Sequence, residues 1–554
     1  MQLENSVLDQ LKSTLAVLYN DRGDWWTAWR DIATYFMPKR YLWLQTNNER
    51  RQYLGLNPNI VDPTGTTAGR VLASGMMNGI TSPSRPWFKI RLAGFQDDLD
   101  YSARVWLDEV ERRMLLAMAE TNFYNAIAVM YLDLVFFGTA AMLIYEDYQN
   151  VFVCRNCCLG EYYLSQNSKG KVDTFARRFT YTVKQCVQEF GIENVSDTVK
   201  TMWNANNAQR LMNIEIAHMI EPNLEGPGQI SKVFPFRETY WETGANDPNK
   251  VLSRRGYYEL PGLFPRWEVT GNDSYGTSPA MDALGDVKQL QQETIRKGQS
   301  LDYMVRPPMM YDISLKNNPV ATLPGGITFI SGLTNGHVGG KPAYQITPPI
   351  NELTMDIRDV QTRIREIFHN PLFNMISQLD TVRSATEIDA RREEKLVLLG
   401  PVLERFENEA LDPAINRVFS IMNRAGLLPP APRSIQNAKL EIQYVSILSA
   451  AQSAVGVIPT ERFLQIIGNV SAIYPKALNI PNWDELLIDY GRDIGVKAKN
   501  INSRDDIASL GEQDDQRAAM ASGLEAAQGA AEAAKNLSAT EVGGGANALQ
   551  QILG

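Results

Sequence analysis

The side chains most able to do chemistry in this chain are few and scattered. Cys154, Cys157 and Cys158 form a C-x-x-C-C cluster, and Cys186 is the only other cysteine. Thiolates at that spacing can hold zinc, yet zinc takes four ligands in paired spacings, and His218, His337 and His369 are far away in sequence. Free structural thiols are the simpler reading, and 4 cysteines in 554 residues suit a reducing compartment with no disulfide framework. Asp97-Asp98, Asp505-Asp506 and Asp514-Asp515 could pair as acid and base, but they sit in polar runs and read as solvated faces. Gly336 to Gly340 is glycine-rich without the preceding strand and following helix that a phosphate cradle needs. There is no G-x-x-x-x-G-K-[ST], H-E-x-x-H or G-x-S-x-G motif. The expectation is a chain without enzymatic activity, metal or cofactor.

What stands out instead is order between Tyr275 and Gly426. A charged helix opens at Ser278, a good N-cap, with Pro279 at the first helical position where its missing N–H does no harm. An insert from Arg306 to Ile350 follows, bounded by Pro307-Pro308 and Pro348-Pro349 and carrying β-type runs such as Ile327 to Ile330. A second charged helix, about 351–369, stops before Asn370-Pro371, because proline disfavours helical geometry in the residue before it. After a polar loop to Arg383, Ser384-Ala-Thr-Glu387 is a capping box for a long helix that ends at Ala425 with Gly426 as C′. At ~1.5 Å per residue that helix would be roughly 60 Å long, with kinks at Gly400-Pro401 and Pro413. Glu293 and Lys297, and Asp359 and Arg363, are spaced as i,i+4 pairs.

The rest of the chain supplies a body and a tail. Helices are expected at about 4–20 and 24–36, where Trp25, Trp26 and Trp29 form an apolar face to pack inward, and again from Thr67 and from Ser102. The helix from Thr67 is rich in small residues and permits close helix approach. The apolar run 126–145 has the length of a membrane span, but Asp133 near its centre would cost ~2.5 kcal/mol or more in a bilayer, and Gly138-Thr139 divides it. A buried helix and then a core strand are expected there. Short β runs continue through Phe190, with a hairpin at 161–181 turning at Gly170, and reappear at 214–221, 234–242 and 256–260. A returning strand at 440–445, several helices, and an Ala-, Glu- and Gln-rich segment fraying from Ser503 complete an α+β chain. The amino terminus shows no signal-peptide pattern. The net charge of −9 excludes a chain that grips nucleic acid over its whole surface, though not one that lets it slide.

Three stretches, Leu72 to Ile90, Tyr275 to Ala280 and Ser384 to Ile388, resemble the head-to-tail connector, or portal, proteins of T7-like short-tailed bacteriophages. The likeness runs from the amino-terminal helices to about residue 500. It implies a portal fold: an α+β wing (1–277), a two-helix stem (278–305 and 351–369) and a small β-containing clip (306–350). A tunnel loop (370–383), a long wing helix with its returning strand (384–445), an α-helical crown (446–510) and an Ala/Gly-rich tail (511–554) follow. It also implies a twelve-subunit ring at the head-tail vertex of the virion, assembled in the host cytoplasm, that passes double-stranded DNA without reading its sequence. The implied partners are the terminase large subunit, a tail adaptor, and scaffolding, major capsid and internal core proteins, with no membrane. Under this reading Lys288, Arg296, Lys297, Arg358, Arg363 and Arg365 either face the tunnel or make solvated and inter-subunit ion pairs. Asn374, Gln378 and Arg383, in the loop, are the better candidates for DNA proximity. The rival is an internal core or tail structural protein without a channel.

Overall fold

The computed structural model describes residues 2–41, 60–92, 101–223, 234–244, 251–306, 309–311, 340–342, 349–377, 399–435, 440–444, short pieces between 463 and 487, and 504–539. The chain divides into two compact units. The first holds 1–89, 112–428 and 442–453, and the second holds 90–111, 429–441 and 454–554.

The amino-terminal helices α1 (Gln2–Asp21) and α2 (Gly23–Tyr35) form where helical spacing placed them, and α3 (Pro38–Tyr41) adds one turn. Trp29 is fully buried, with Trp25 stacked on it and Tyr275 edge-on at 5.1 Å, so the tryptophan face packs inward. Helix α4 (Thr64–Ile80) is followed by strand β1 (Phe88–Leu92), α5 (Tyr101–Glu120) and α6 (Phe123–Phe137). Gly138 takes φ +72 to end α6, and the chain turns into β2 (Ala141–Asp147). The apolar run is therefore a buried helix and a core strand. Among the described residues no helix is long and apolar enough to cross a membrane.

Strand β3 (Val151–Cys157) pairs with β2, and the hairpin β4 (Tyr162–Gln166) and β5 (Val172–Thr182) turns at Gly170 with φ +75. Three helices then interrupt the β pattern: α7 (Val183–Phe190), α8 (Asp197–Ala205) and α9 (Asn207–Arg210). Residues 183–190 were expected to continue the β runs. A capping box between Thr182 and Gln185 starts a helix instead, satisfying the first free N–H groups. Strands β6 (Asn213–Pro222), β7 (Phe236–Glu242) and β8 (Val251–Tyr257) complete an antiparallel sheet of order β4-β5-β6-β7-β8, and β9 (Gly262–Leu263) pairs with β2. The last strand of the large sheet begins five residues before the expected 256–260 segment.

That sheet is buried on both faces, which follows from the period-2 alternation of side chains. Ala217, Met219 and Trp241 meet the leucine stripe of α1, Leu8, Leu11, Leu15 and Leu18. Ile216 and Tyr240 pack on the other side with Val183, Cys186, Phe190 and Val199 of α7 and α8.

After β9 come α10 (Pro279–Asp282), α11 (Leu284–Val305), β10 (Met309–Tyr311), β11 (Gly340–Pro342), α12 (Ile350–Ile367) and α13 (Asn370–Ser377). Residues 399–411 are helical and lead into Asp412–Arg424. In the second unit, the Trp106 indole N–H donates to the Pro429 carbonyl at 2.9 Å, and Arg504–Ala539 is one long helix.

Candidate functional site

The hairpin of α11 and α12 carries most of the candidate residues. Ser278 caps it as expected, its hydroxyl accepting from the Met281 N–H, with Pro279 in the first turn and a break at Ala283 before α11 proper. Val287 and Leu290 on α11, and Ile357, Val360 and Ile364 on α12, recur three or four residues apart and are buried. They make a narrow apolar seam, with charged and polar residues and some exposed apolar ones, Ile295 and Met355 among them, on the remaining sides. The two helices run antiparallel, since Arg363 near the end of α12 pairs with Asp286 near the start of α11 at 3.2 Å.

One polar joint fixes the hairpin to the body. The buried Gln291 accepts at Oε1 from the N–H groups of Val61 and Asp62 and donates from Nε2 to the Asp62 carbonyl. Gln361 on α12 donates to Asp62 Oδ2 at 2.7 Å, while Asp62 Oδ1 accepts from the N–H and hydroxyl of Thr64 at the start of α4. Three helices thus share one aspartate. Beneath them α4 lies close to its neighbours: a Cβ added to Gly69 would stand 2.4 Å from Phe136 Cζ.

The candidate cations fall into different situations. Lys288 pairs with Asp31 of α2 at 2.6 Å, and Arg363 pairs with Asp286, so both are engaged within the chain. The expected Asp359 to Arg363 contact gives way to this interhelical pair, and Glu293 Oε1 accepts from Gln289 rather than from Lys297. Spacing along one helix shows only local partners, and in both cases another group was nearer. Arg296, Arg358 and Arg365 are exposed and Lys297 is half-buried, none in an ion pair with a described residue.

Asn374 lies in α13, so the segment expected to be loop from 370 is helical to Ser377. His369 takes φ +51, a left-handed conformation that ends α12 and lets a new helix start with Pro371 in its first turn, where no N–H is needed. Asn370-Pro371 thus ends one helix and begins the next. Gln378, Arg383 and the capping box at Ser384 lie outside the described residues. So does most of the insert, of which β10 and β11 pair antiparallel, Met309 opposite Pro342.

Further on, the kink expected at Pro413 takes the form of a π-turn at Glu407–Leu411. Pro413 has no N–H and its ring crowds the carbonyl of Glu409 one turn back. The Asp412 N–H reaches Glu407, five residues back, and the wider turn relieves the clash. The helix ends as expected at Gly426, φ +69, with the Leu427 N–H donating to Met422 and that of Gly426 to Asn423. Buried Arg417 and exposed Arg424 tie it to Glu259 and Glu146.

The other chemistry-bearing groups are structural. Burial pushes the Cys154 and Cys157 thiols up to about 12 and Cys158 to about 11, so all three are protonated near neutral pH. No group of metal-binding side chains occurs among the described residues. Asp133, which argued against a membrane span, lies 2.9 Å from Arg40; burial raises its pKa to about 6 despite that partner. His218 is held between Arg177, whose Nε donates to Nδ1, and Glu238, 2.8 Å from Nε2. Burial lowers the His218 pKa to about 4, and the Arg177 contact leaves Nε2 as the protonated nitrogen. Burial alone would raise Glu238, but hydrogen bonds from His218 and Tyr257 outweigh it and keep the carboxylate ionised. Local sequence carries no sign of this network, because its members lie on four separate strands.

The described residues present a charged helical hairpin anchored on an α+β body. Over residues 8–501 the chain matches the family model described as bacteriophage head to tail connecting protein. It is 39% identical over 540 residues to the portal protein of Salmonella phage epsilon15, covering 96% of each chain. To the probable portal protein of Bordetella phage BPP-1 it is 36% identical over 533 residues, 95% of this chain and 94% of the other. A mixed helix and sheet body, a match to the family model over most of the chain, and near full-length likeness to two portal proteins lead to one assignment: the chain belongs to the bacteriophage head-to-tail connecting, or portal, family.

Proposed function

We propose that twelve copies of this chain close a ring at the head-tail vertex, with the α11–α12 hairpins standing side by side around a tunnel for double-stranded DNA. The observation that carries this reading is the hairpin itself. Its buried apolar residues lie along the seam between the two helices and against α4, its outer sides mix charged and polar residues with exposed apolar ones such as Ile295, Tyr303 and Met355, and it is anchored at one end to the body. Residues 1–277 are the wing, 278–305 and 351–369 the stem, and 306–350 the clip. Residues 370–383 are the tunnel segment, helical in its first part, and 384–445 span the wing. The crown is 446–510, with 511–554 beyond it.

A conduit must not hold phosphates tightly, because strong attraction would oppose translocation, whereas a mixed wall makes weak, salt-dependent contacts. With Lys288 and Arg363 neutralised inside the chain, Arg296 and the tunnel-segment residues Asn374, Gln378 and Arg383 are the groups assigned to DNA proximity. The clip and lower stem dock the terminase large subunit during packaging and a tail adaptor afterwards. Scaffolding, major capsid and internal core proteins contact the wing and crown. The test replaces Arg383 and Gln378 with alanine and measures DNA retained per capsid. A fall is expected, and unchanged packaging and retention would remove the segment from DNA handling.

A further inference from the structure

The hairpin has two flanks, and their charges differ in sign. With about 3.6 residues per turn, the buried seam positions fix where every other side chain of α11 and α12 points. Two observed contacts identify the flanks independently. The Arg363–Asp286 pair bridges the helices on one side of the seam, and Gln291 and Gln361 meet at Asp62 on the other.

On the Arg363 side the same spacing places Glu352 and Asp356 of α12 with Asp286, Glu293 and Lys297 of α11. Arg363 is already held by Asp286, so this flank is acidic. Glu293 Oε1 accepts from Gln289, and its Oε2 has no hydrogen-bond partner among the described residues. On the Asp62 side lie Arg358 and Arg365, seven residues apart and so stacked about 10 Å from each other along the helix. Lys288 shares that side near the body, held by Asp31, and Asp302 is its acid at the far end. Arg358 and Arg365 are exposed and make no ion pair with a described residue.

A cyclic ring requires such a pair of unlike faces, because each copy meets its neighbours through two different surfaces. We infer that the basic flank of one hairpin docks on the acidic flank of the next copy. Arg358, which stands within about one turn of the level of Asp356 and Glu293, pairs with those carboxylates across the subunit boundary. Arg358 and Arg365 are then assembly residues rather than DNA contacts. What is left for the tunnel is a back face: Gln289, Gln292, Arg296, Gln299 and Tyr303 on α11, or Met355, Asp359, Thr362 and Glu366 on α12. Neither back face is strongly basic, which suits a sliding duplex. This inference rests on the ring reading above.

Two charge-reversed full-length chains test it. One carries Arg358→Glu and Arg365→Glu, giving two acidic flanks; the other carries Glu293→Lys and Asp356→Lys, giving two basic flanks. Each alone is expected to lose the ring seen for the unaltered chain by native mass spectrometry while keeping its far-ultraviolet circular dichroism. Mixed in equal amounts they are expected to regain a ring of alternating copies, because each acidic flank then meets a basic one. Ring formation by either variant alone, or folded variants that stay apart on mixing, would overturn the pairing. If the unaltered chain itself gives no ring under the same conditions, the ring reading fails rather than this contact.

Discussion

Gly69→Ala and Gly298→Ala are the same change in two helices, and the surroundings give them opposite signs. Glycine in a helix interior is about 1 kcal/mol less favourable than alanine, so added side chain should stabilise wherever there is room. At Gly298 in α11 nothing lies within 4 Å of the new Cβ, and a gain of about 1 kcal/mol is expected. At Gly69 in α4 the Cβ would stand 2.4 Å from Phe136 Cζ and 2.5 Å from Cε1. Carbon atoms in contact prefer ~3.5–4.0 Å, so the ring would have to move by more than about 1 Å. Phe136 is fully buried, with Phe36 at 5.8 Å and Phe368 at 6.3 Å closing round it, and cannot yield easily. Overpacking of this kind destabilises by roughly 1–3 kcal/mol. A clash this deep lies toward the upper end, which leaves a net loss of about 2 kcal/mol after the propensity gain. The two variants should therefore differ by about 3 kcal/mol. Urea unfolding followed by tryptophan fluorescence, with hydrogen exchange of residues 64–80 and 284–305, would measure it. Equal midpoints and unchanged exchange in both helices would refute the close seating of α4 on α6.

Two further outcomes follow from buried charge. His218 has a folded pKa of about 4 against an ordinary value of 6.5, so the unfolded chain takes up its proton first as pH falls. Its contribution is complete above about pH 6.5 and drains away toward pH 4, at most about 3 kcal/mol at 1.36 kcal/mol per unit. His218→Gln keeps an acceptor for Arg177 and a donor for Glu238 without a titration, and should flatten the stability profile between pH 6.5 and 4.5; an unaltered slope would point to another group. Arg417→Met removes the buried guanidinium that binds Glu259 and the Ile144 carbonyl. Breaking a buried pair from one side costs ~3–5 kcal/mol, and the low end applies because Arg424 still holds Glu259 at 3.0 Å. Thermal melts would show a drop of several degrees, and no drop would mean that the 412–424 helix is not fastened there.

Much of the fold was legible where the signal is local. The leucine stripe of α1, the cap at Ser278, the turn at Gly170 and the stop at Gly426 each depend on a few adjacent residues, and each appears where expected. Helix α7 was hidden because β5 runs directly into its cap, and α13 because Asn370-Pro371 reads equally as an end or a beginning. The π-turn follows from Pro413, yet proline alone does not say how the strain will be relieved. Charges were the least legible. Asp359 stands four residues from Arg363, but the partner that takes it, Asp286, is 77 positions away on another helix. The two flanks of the hairpin could be drawn only once the buried seam was known.

The central claim is a closed ring, and the most direct test is native mass spectrometry of the purified chain with negative-stain imaging of the same sample. Twelve copies of 62.1 kDa should give a particle of about 745 kDa with a central hole. A monomer or dimer without a hole, persisting at high protein concentration, would contradict it.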